Sequence, residues 1–356
     1  MNRITLAALA AAASITAVAQ NVQQVNIGDN FNYGITYSLP TTAVRIAITA
    51  HCTQTVAGPF APYAEKFLGL KDVAQADMTH YEITEIHIDG VGHPDSTRTY
   101  HIDFSEKGAL PTFYLTDELC LWTINREPEV PATEVPAADT KGSPIKYKPT
   151  DVMTSDMLKA GSKSKQAELC ADEIFSIRES RSELVRGEAD NTPNDGKQLQ
   201  LMLDNLTAQE EALLSLFVGN TTERDVTNYV EYIPTGEADH VLAFRYSSDL
   251  GLVGNDDLAG APYYLSISIT EDNRMSEADV KAHKKLEKGI AHCVPGKARV
   301  TLSTASDKLA EGIIALAQLG HVEQLPQLQF TDKKKPCSAV FVPATGAIRL
   351  FNASGE

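Results

Sequence analysis

Apolar positions along the chain change period three times, and each change marks a change of element. Between residues 20 and 126 they alternate with polar ones or gather in short β-branched and aromatic blocks, as at 44–50 and 112–115. Bounded by turn-prone stretches, these blocks predict strands. One helix interrupts them at 62–69, where Tyr63, Phe67 and Leu68 share a face and Gly69 stands where a helix end favours φ > 0. Over 127–150 the pattern lapses. Pro128, Pro131, Pro136, Pro144 and Pro149 punctuate a segment with little to bury, which reads as an extended linker or loop.

Residues 151–220 take up the helical period. Cys170, Ile174, Ile177, Arg181 and Leu184 step by four and three in turn. Leu199, Leu203, Leu206, Glu210, Leu213 and Phe217 resume that stepping after a breaker at 187–196. Two such helices are expected to pack as an antiparallel hairpin. Two of the seam positions are charged. Glu210 follows Thr207 by three, so a capping box would restart the second helix there, and Gly219 would end it. Arg181 either carries its aliphatic stem to the solvent edge or pairs with an acid from a neighbouring domain.

After residue 221 the strand pattern returns, at 226–233, 241–246, 263–269 and 298–302, with a final pair flanking Pro343, Ala344, Thr345 and Gly346. Tyr263 and Tyr264 open one of these strands, so one ring points inward and the other out. Residues 309–319 are apolar enough for either helix or strand. The resulting expectation is an α+β fold: two β-rich domains, 20–126 and 221–356, separated by the 127–150 linker and the 151–220 helical hairpin.

The first segment stands apart from this scheme. Asn2 and Arg3 precede an apolar run at 4–18 that closes on Ala17, Val18 and Ala19, the small-x-small pattern of a signal-peptidase site. A run of about 15 residues is short for a bilayer, which needs ~20. Cleavage after Ala19 is expected, giving an exported chain with no transmembrane segment, in the periplasm or at the cell surface. A net charge of −16 argues against nucleic acid as a partner, because that binding rests on Lys and Arg neutralising phosphates.

Export changes how the cysteines are read. Cys52, Cys120, Cys170, Cys293 and Cys337 are widely spaced, with no C-x-x-C pair, and five is an odd number. In a chain of this size they are expected to be small buried hydrophobes without a structural disulfide.

The usual catalytic signatures (H-E-x-x-H, G-x-S-x-G, G-x-G-x-x-G, a complete P-loop) do not occur in the sequence. One cluster has the residue types for chemistry. If 83–89 and 98–104 paired as a hairpin around Gly90, Gly92, Pro94 and Asp95, His87 would face His101. Ile86, Ile88, Tyr100 and Ile102 would then form one apolar face. The other face would collect Glu85, His87, Asp89, His101 and Asp103. Imidazoles flanked by carboxylates are the ligand set of a divalent metal and the donor–acceptor set of acid–base catalysis. His87, His101, Glu85 and Asp103 are therefore the candidate metal residues; no other cofactor is expected.

Several stretches resemble a known family: 34–40 (GITYSLP), 63–73 (YAEKFLGLKDV), 177–188 (IRESRSELVRGE), 216–219 (LFVG), 317–320 (AQLG) with Leu325 and Pro326, and 343–347 (PATGA). The resemblance is to exported proteins of gut-dwelling Gram-negative anaerobes that share a domain of unknown function. It implies export and carries over no catalytic residue. The expected role is that of a cell-envelope binding or structural protein, with a protein or a glycan as partner. The alternative is a metal-dependent or hydrolytic enzyme centred on the histidine face.

Alkylation in denaturant without reductant is expected to modify all five thiols. Mass spectrometry finding fewer would reveal a disulfide.

Overall fold

The computed structural model describes residues 22–25, 34–103, 110–129, 147–190, 193, 195–276, 278–279, 289–326, 329–331 and 336–352. The expected signal segment with Ala19, and the linker over 130–146, lie outside the described residues. The chain is strand-rich, with its longer helices in one stretch, in keeping with an α+β class. Strands β1 (Val22–Gln24), β2 (Gly34–Val56), β3 (Met78–Asp103) and β6 (Asn220–Tyr232) form one sheet in the order β1-β3-β2-β6. A second sheet runs β11-β10-β9-β7-β8, from β7 (Ala238–Ser247), β8 (Gly251–Val253), β9 (Ala261–Glu271), β10 (Gly289–Ser303) and β11 (Lys308–Pro326). The third, β13-β12-β5-β4, uses β4 (Phe113–Leu115), β5 (Leu121–Ile124), β12 (Ser338–Phe341) and β13 (Ile348–Asn352).

Strand pairing crosses the expected domain boundary. β2 pairs with β6 from Val44 to Val56, and β12 pairs with β5, so the two β-rich segments build common sheets. The reason lies in β2, whose residues Val44, Ile46, Ile48 and Ala50 are fully buried and need cover that the first segment does not supply. That cover is β7, β9, β10 and β11, which contribute Phe244, Leu265, Ile267, Val300, Leu302 and Leu316 to the same core. The ambiguous 309–319 stretch is strand within β11, held by β10 along its length.

β2 serves two cores by changing parity. Its odd residues Tyr37 and Leu39 enter a second core with Ile102, Ile124, Phe330 and Phe341; its even residues from Val44 enter the first. Thr42, Ala43 and Val44 are buried in succession at the switch. Here Pro40 faces Pro94 across the β2–β3 ladder, and neither has an N–H to give. Arg98 makes good the loss, its Nη2 donating to the Pro40 carbonyl at 2.7 Å while its Nε holds Asp95 at 2.8 Å. Burial alone would raise the Asp95 pKa. Hydrogen bonds from Thr97 and Arg98 outweigh it and hold the carboxyl below its usual value.

A buried knot at Thr42 closes the crossing. Its hydroxyl donates to the Ala344 carbonyl at 2.7 Å and accepts from the Ala317 amide at 3.0 Å. Its own amide donates to Gln318 Oε1, whose Nε2 returns a bond to the Thr42 carbonyl and another to that of Pro234.

Helices α1 (Ala64–Leu68), α2 (Pro149–Val152), α3 (Ser155–Leu158), α4 (Lys163–Arg186) and α5 (Gly196–Val218) gather a third core around Phe60, Cys170, Ile174, Ile177, Leu213 and Phe217. Gly187 at φ 71° ends α4, and Gly219 ends α5. The capping box expected at Thr207 is not formed. α5 runs unbroken from an Asp195 cap, and in mid-helix the amides already have carbonyl partners. Glu210 instead turns toward α4 and accepts from Arg178 Nε and Arg181 Nη1, each at 2.6 Å. Arg181 thus pairs with an acid of the facing helix, within the hairpin and not from a neighbouring domain, while its side chain stays partly exposed.

All five cysteines are buried and stand as thiols rather than disulfides. Burial pushes the thiols of Cys120, Cys170 and Cys293 up to about 11.

Thr42→Val leaves the Ala317 amide and the Ala344 carbonyl buried without a partner. At ~1–3 kcal/mol for each orphaned group, it is expected to cost about 2–5 kcal/mol in urea unfolding. Thr55→Val, on the exposed end of β2, is expected to cost under about 0.5 kcal/mol. Equal losses would remove the special role of the knot.

Candidate functional site

The structure does not bring His87 and His101 together. Residues 78–103 form one long strand paired to β2 on both sides of a bulge at 95–98, and the partners of the two histidines, Ala47 and Thr36, lie eleven residues apart on β2. At ~3.3 Å per residue that is roughly 36 Å of strand. Gly90 and Gly92, which resembled turn residues, serve close packing. A Cβ on Gly92 would meet the Pro343 carbonyl oxygen at 2.3 Å, and one on Gly90 would press on Ile314 and Thr42 at 3.2 Å. The expected single apolar face is divided: Ile86 and Ile88 face the first core and Tyr100 and Ile102 the second, with His101 buried between the latter two.

Each predicted residue therefore has its own setting. Glu85 and His87 sit exposed on the outer face of the first sheet, opposite Thr49 and Ala47. His101 is buried, its Nδ1 at 2.9 Å from Thr36 Oγ1, beneath a close approach by Gly34. Asp103 pairs in register with Gly34 at the far end of the strand. Asp89 is taken by Arg45. Among the described residues no group of three or more His, Cys, Asp or Glu side chains is assembled as a metal site.

What the fold does assemble is a tyrosine-lined cleft of about 450 Å³ at one end of the first core. Tyr81 and Ile83 come from β3, Tyr246 and Ser247 from the end of β7, and Tyr263 from β9, with Ser248, Ala259 and Ala261 completing it. Two strand-pairing facts position these groups. The Tyr81 amide donates to the Ser248 carbonyl, which ties the two sheets together at the rim, and β9 aligns Ala261 with Tyr246. Tyr81 meets Tyr246 edge-on, with ring centroids 6.5 Å apart, and Tyr263 stacks on Phe244 at 4.5 Å. Tyr264, its neighbour in sequence, points the other way and stacks on His240, as alternation requires.

The Tyr246 hydroxyl is buried and has no hydrogen-bond partner among the described residues. Burial, reinforced by Tyr81, Cys52 and Tyr263, pushes its pKa up to about 12. An unpaired buried hydroxyl costs ~1–3 kcal/mol. Of the cleft residues, Tyr263 alone stood out in the sequence, because Tyr81 and Tyr246 meet only through the packing of two sheets.

A second orphaned group is His292 Nδ1, on β10 across from Glu323. Burial lowers the His292 pKa, with Glu323 opposing and His321 adding to the shift. His321 is itself engaged, by the Asn273 carbonyl at 2.7 Å and Glu323 at 3.1 Å. The site is a core position with no cleft described beside it.

Among the described residues no helix is long and apolar enough to cross a membrane. A family model described as a domain of unknown function (DUF4831) matches residues 33–349. No curated protein and no solved structure matches the chain.

Tyr246→Phe removes the orphaned hydroxyl and is expected to raise stability by about 1 kcal/mol in urea unfolding; a loss of stability would show that the hydroxyl has a partner. For His292 the folded pKa lies below the unfolded value of 6.5, so protons favour the unfolded chain. Its neutral form is fully accommodated above pH 6.5, and stability is expected to fall as pH drops below that value. Comparing urea midpoints at neutral and mildly acidic pH for wild type and His292→Phe checks this, the variant showing the shallower fall.

Proposed function

The chain belongs to the DUF4831 family, defined by a domain of unknown function, and from that premise we propose that it is an exported binding protein of the cell envelope whose cleft at Tyr81, Tyr246 and Tyr263 takes a glycan. Export is supported by the apolar run at 4–18 and the small-residue pattern ending at Ala19. The observation that carries the binding reading is a cleft lined by three tyrosine rings, one of them bearing a buried hydroxyl that has no hydrogen-bond partner among the described residues.

The chemistry selects the ligand class. A saccharide presents C–H faces that pack on aromatic rings and hydroxyl edges that exchange hydrogen bonds. Tyrosine supplies both an apolar body and a polar tip. Glu82, Ser247 and Ser248 stand beside the rings and would fix the ligand's orientation. The metal-dependent alternative draws no support, because the imidazoles on which it rested are held far apart along one strand, His87 exposed and His101 buried.

Titrating soluble oligosaccharides into the full chain, followed by tyrosine ring resonances in NMR, tests the proposal. Shifts confined to the cleft tyrosines are expected, with affinity lost by at least about tenfold in Tyr263→Ala, since stacking on an aromatic ring is worth ~1–3 kcal/mol. No saturable shift at millimolar oligosaccharide would end the glycan reading.

A further inference from the structure

We propose that the outer face of the α4–α5 pair is a second binding site, for a phosphoryl group. Residues 178, 181, 182, 185 and 186 repeat at the spacing of a single helical face. α4 therefore sets three guanidiniums and a hydroxyl along one stripe: Arg178, Arg181, Ser182 and Arg186, with Val185 between them. Leu203 of α5 forms the opposite wall, and the cleft between them has a volume of about 370 Å³. In a chain with 47 acidic and 31 basic residues, three arginines lining one cleft run against the overall charge.

The site is pre-organised from behind. Glu210 is only 8% exposed, and its two carboxylate oxygens accept from two different arginines at 2.6 Å. Each guanidinium carries five N–H donors, and Glu210 engages one from each. The carboxylate thus fixes the two planar groups and leaves further donors to an incoming anion, lowering the ordering cost of binding. Arg186 pairs with Glu188 at 3.0 Å, but both side chains are more than half exposed, and such a pair is easily exchanged.

Donor number and shape identify the anion. Three guanidiniums and a hydroxyl offer more N–H and O–H groups than a planar carboxylate can accept. A phosphoryl group has three acceptor oxygens in a tetrahedral arrangement, and arginine matches it bidentately. The same chemistry is carried by free phosphate and by a phosphorylated lipid headgroup, and exposed Val185 beside the arginines leaves room for either.

Two probes applied to the full chain distinguish these sources: inorganic phosphate, by calorimetry at low ionic strength, and flotation with phosphatidic acid vesicles against phosphatidylcholine ones. Saturable binding of phosphate, of anionic vesicles or of both is expected, and Arg186→Gln is expected to weaken it about tenfold without changing the circular dichroism. Glu210→Gln releases the two guanidiniums that the carboxylate orders and is expected to weaken phosphate binding several-fold as well as lower the melting temperature. A purely structural ion pair would show the second effect alone. Absence of saturable binding to either probe, or binding unaltered by Arg186→Gln, would overturn the proposal.

Discussion

The Thr42 knot is the constraint on which the other packing depends. A strand that serves two cores must at some point bury both of its faces, and there its backbone loses regular ladder partners. β2 does this at Thr42, Ala43 and Val44, just past a pair of facing prolines. Every polar group left over must then be paired with something from another part of the chain. The Gln318 amide takes both backbone groups of Thr42, and the hydroxyl ties Ala317 to Ala344. Arg98 performs the same service for Pro40. These side chains let one strand pass from the first core to the second without a buried orphan at the crossing.

From this crossing follows the placement of the candidate sites. Because β2 and β3 continue past it as long strands, the far end of β3 reaches the end of β7 and β9, and Tyr81 meets Tyr246 and Tyr263 there. The helical core is attached at the same end. Phe60, just beyond β2, donates its amide to the Leu216 carbonyl and packs its ring on Phe217. A Cβ at Gly58 would strike that carbonyl oxygen at 2.3 Å, so only glycine lets the segment approach α5 so closely.

Local pattern was legible in the sequence wherever one interaction decided the element. The seam of α4, the glycines that end both long helices and the inward face of Ile86 and Ile88 were all readable from spacing. What spacing does not carry is the partner. Gly90, Gly92 and Pro94 have turn chemistry, yet they lie in a strand because Pro343, Ala344 and Ile314 press on that stretch from over two hundred residues away. Glu210 has the spacing of a capping box, yet two arginines on the facing helix claim it. The tyrosine cleft was invisible for the same reason: its residues come from three strands, and a single sequence holds no record of which strands meet. Membership of a family whose domain has no known function supplied no motif to fill that gap.

The crossing also sets an order of events during folding. The Thr42 hydroxyl reaches Ala344 across 302 positions of sequence, and β5 finds its β12 neighbour across more than two hundred. Contacts of such separation are entropically expensive to close and form slowly. A nascent chain carrying only β1 to β6 would hold the apolar faces of β2 and β5 open to water, with their edges free to pair with other chains. The first core cannot close until β11 has been made, and the second not until β12 and β13, so both wait on most of translation.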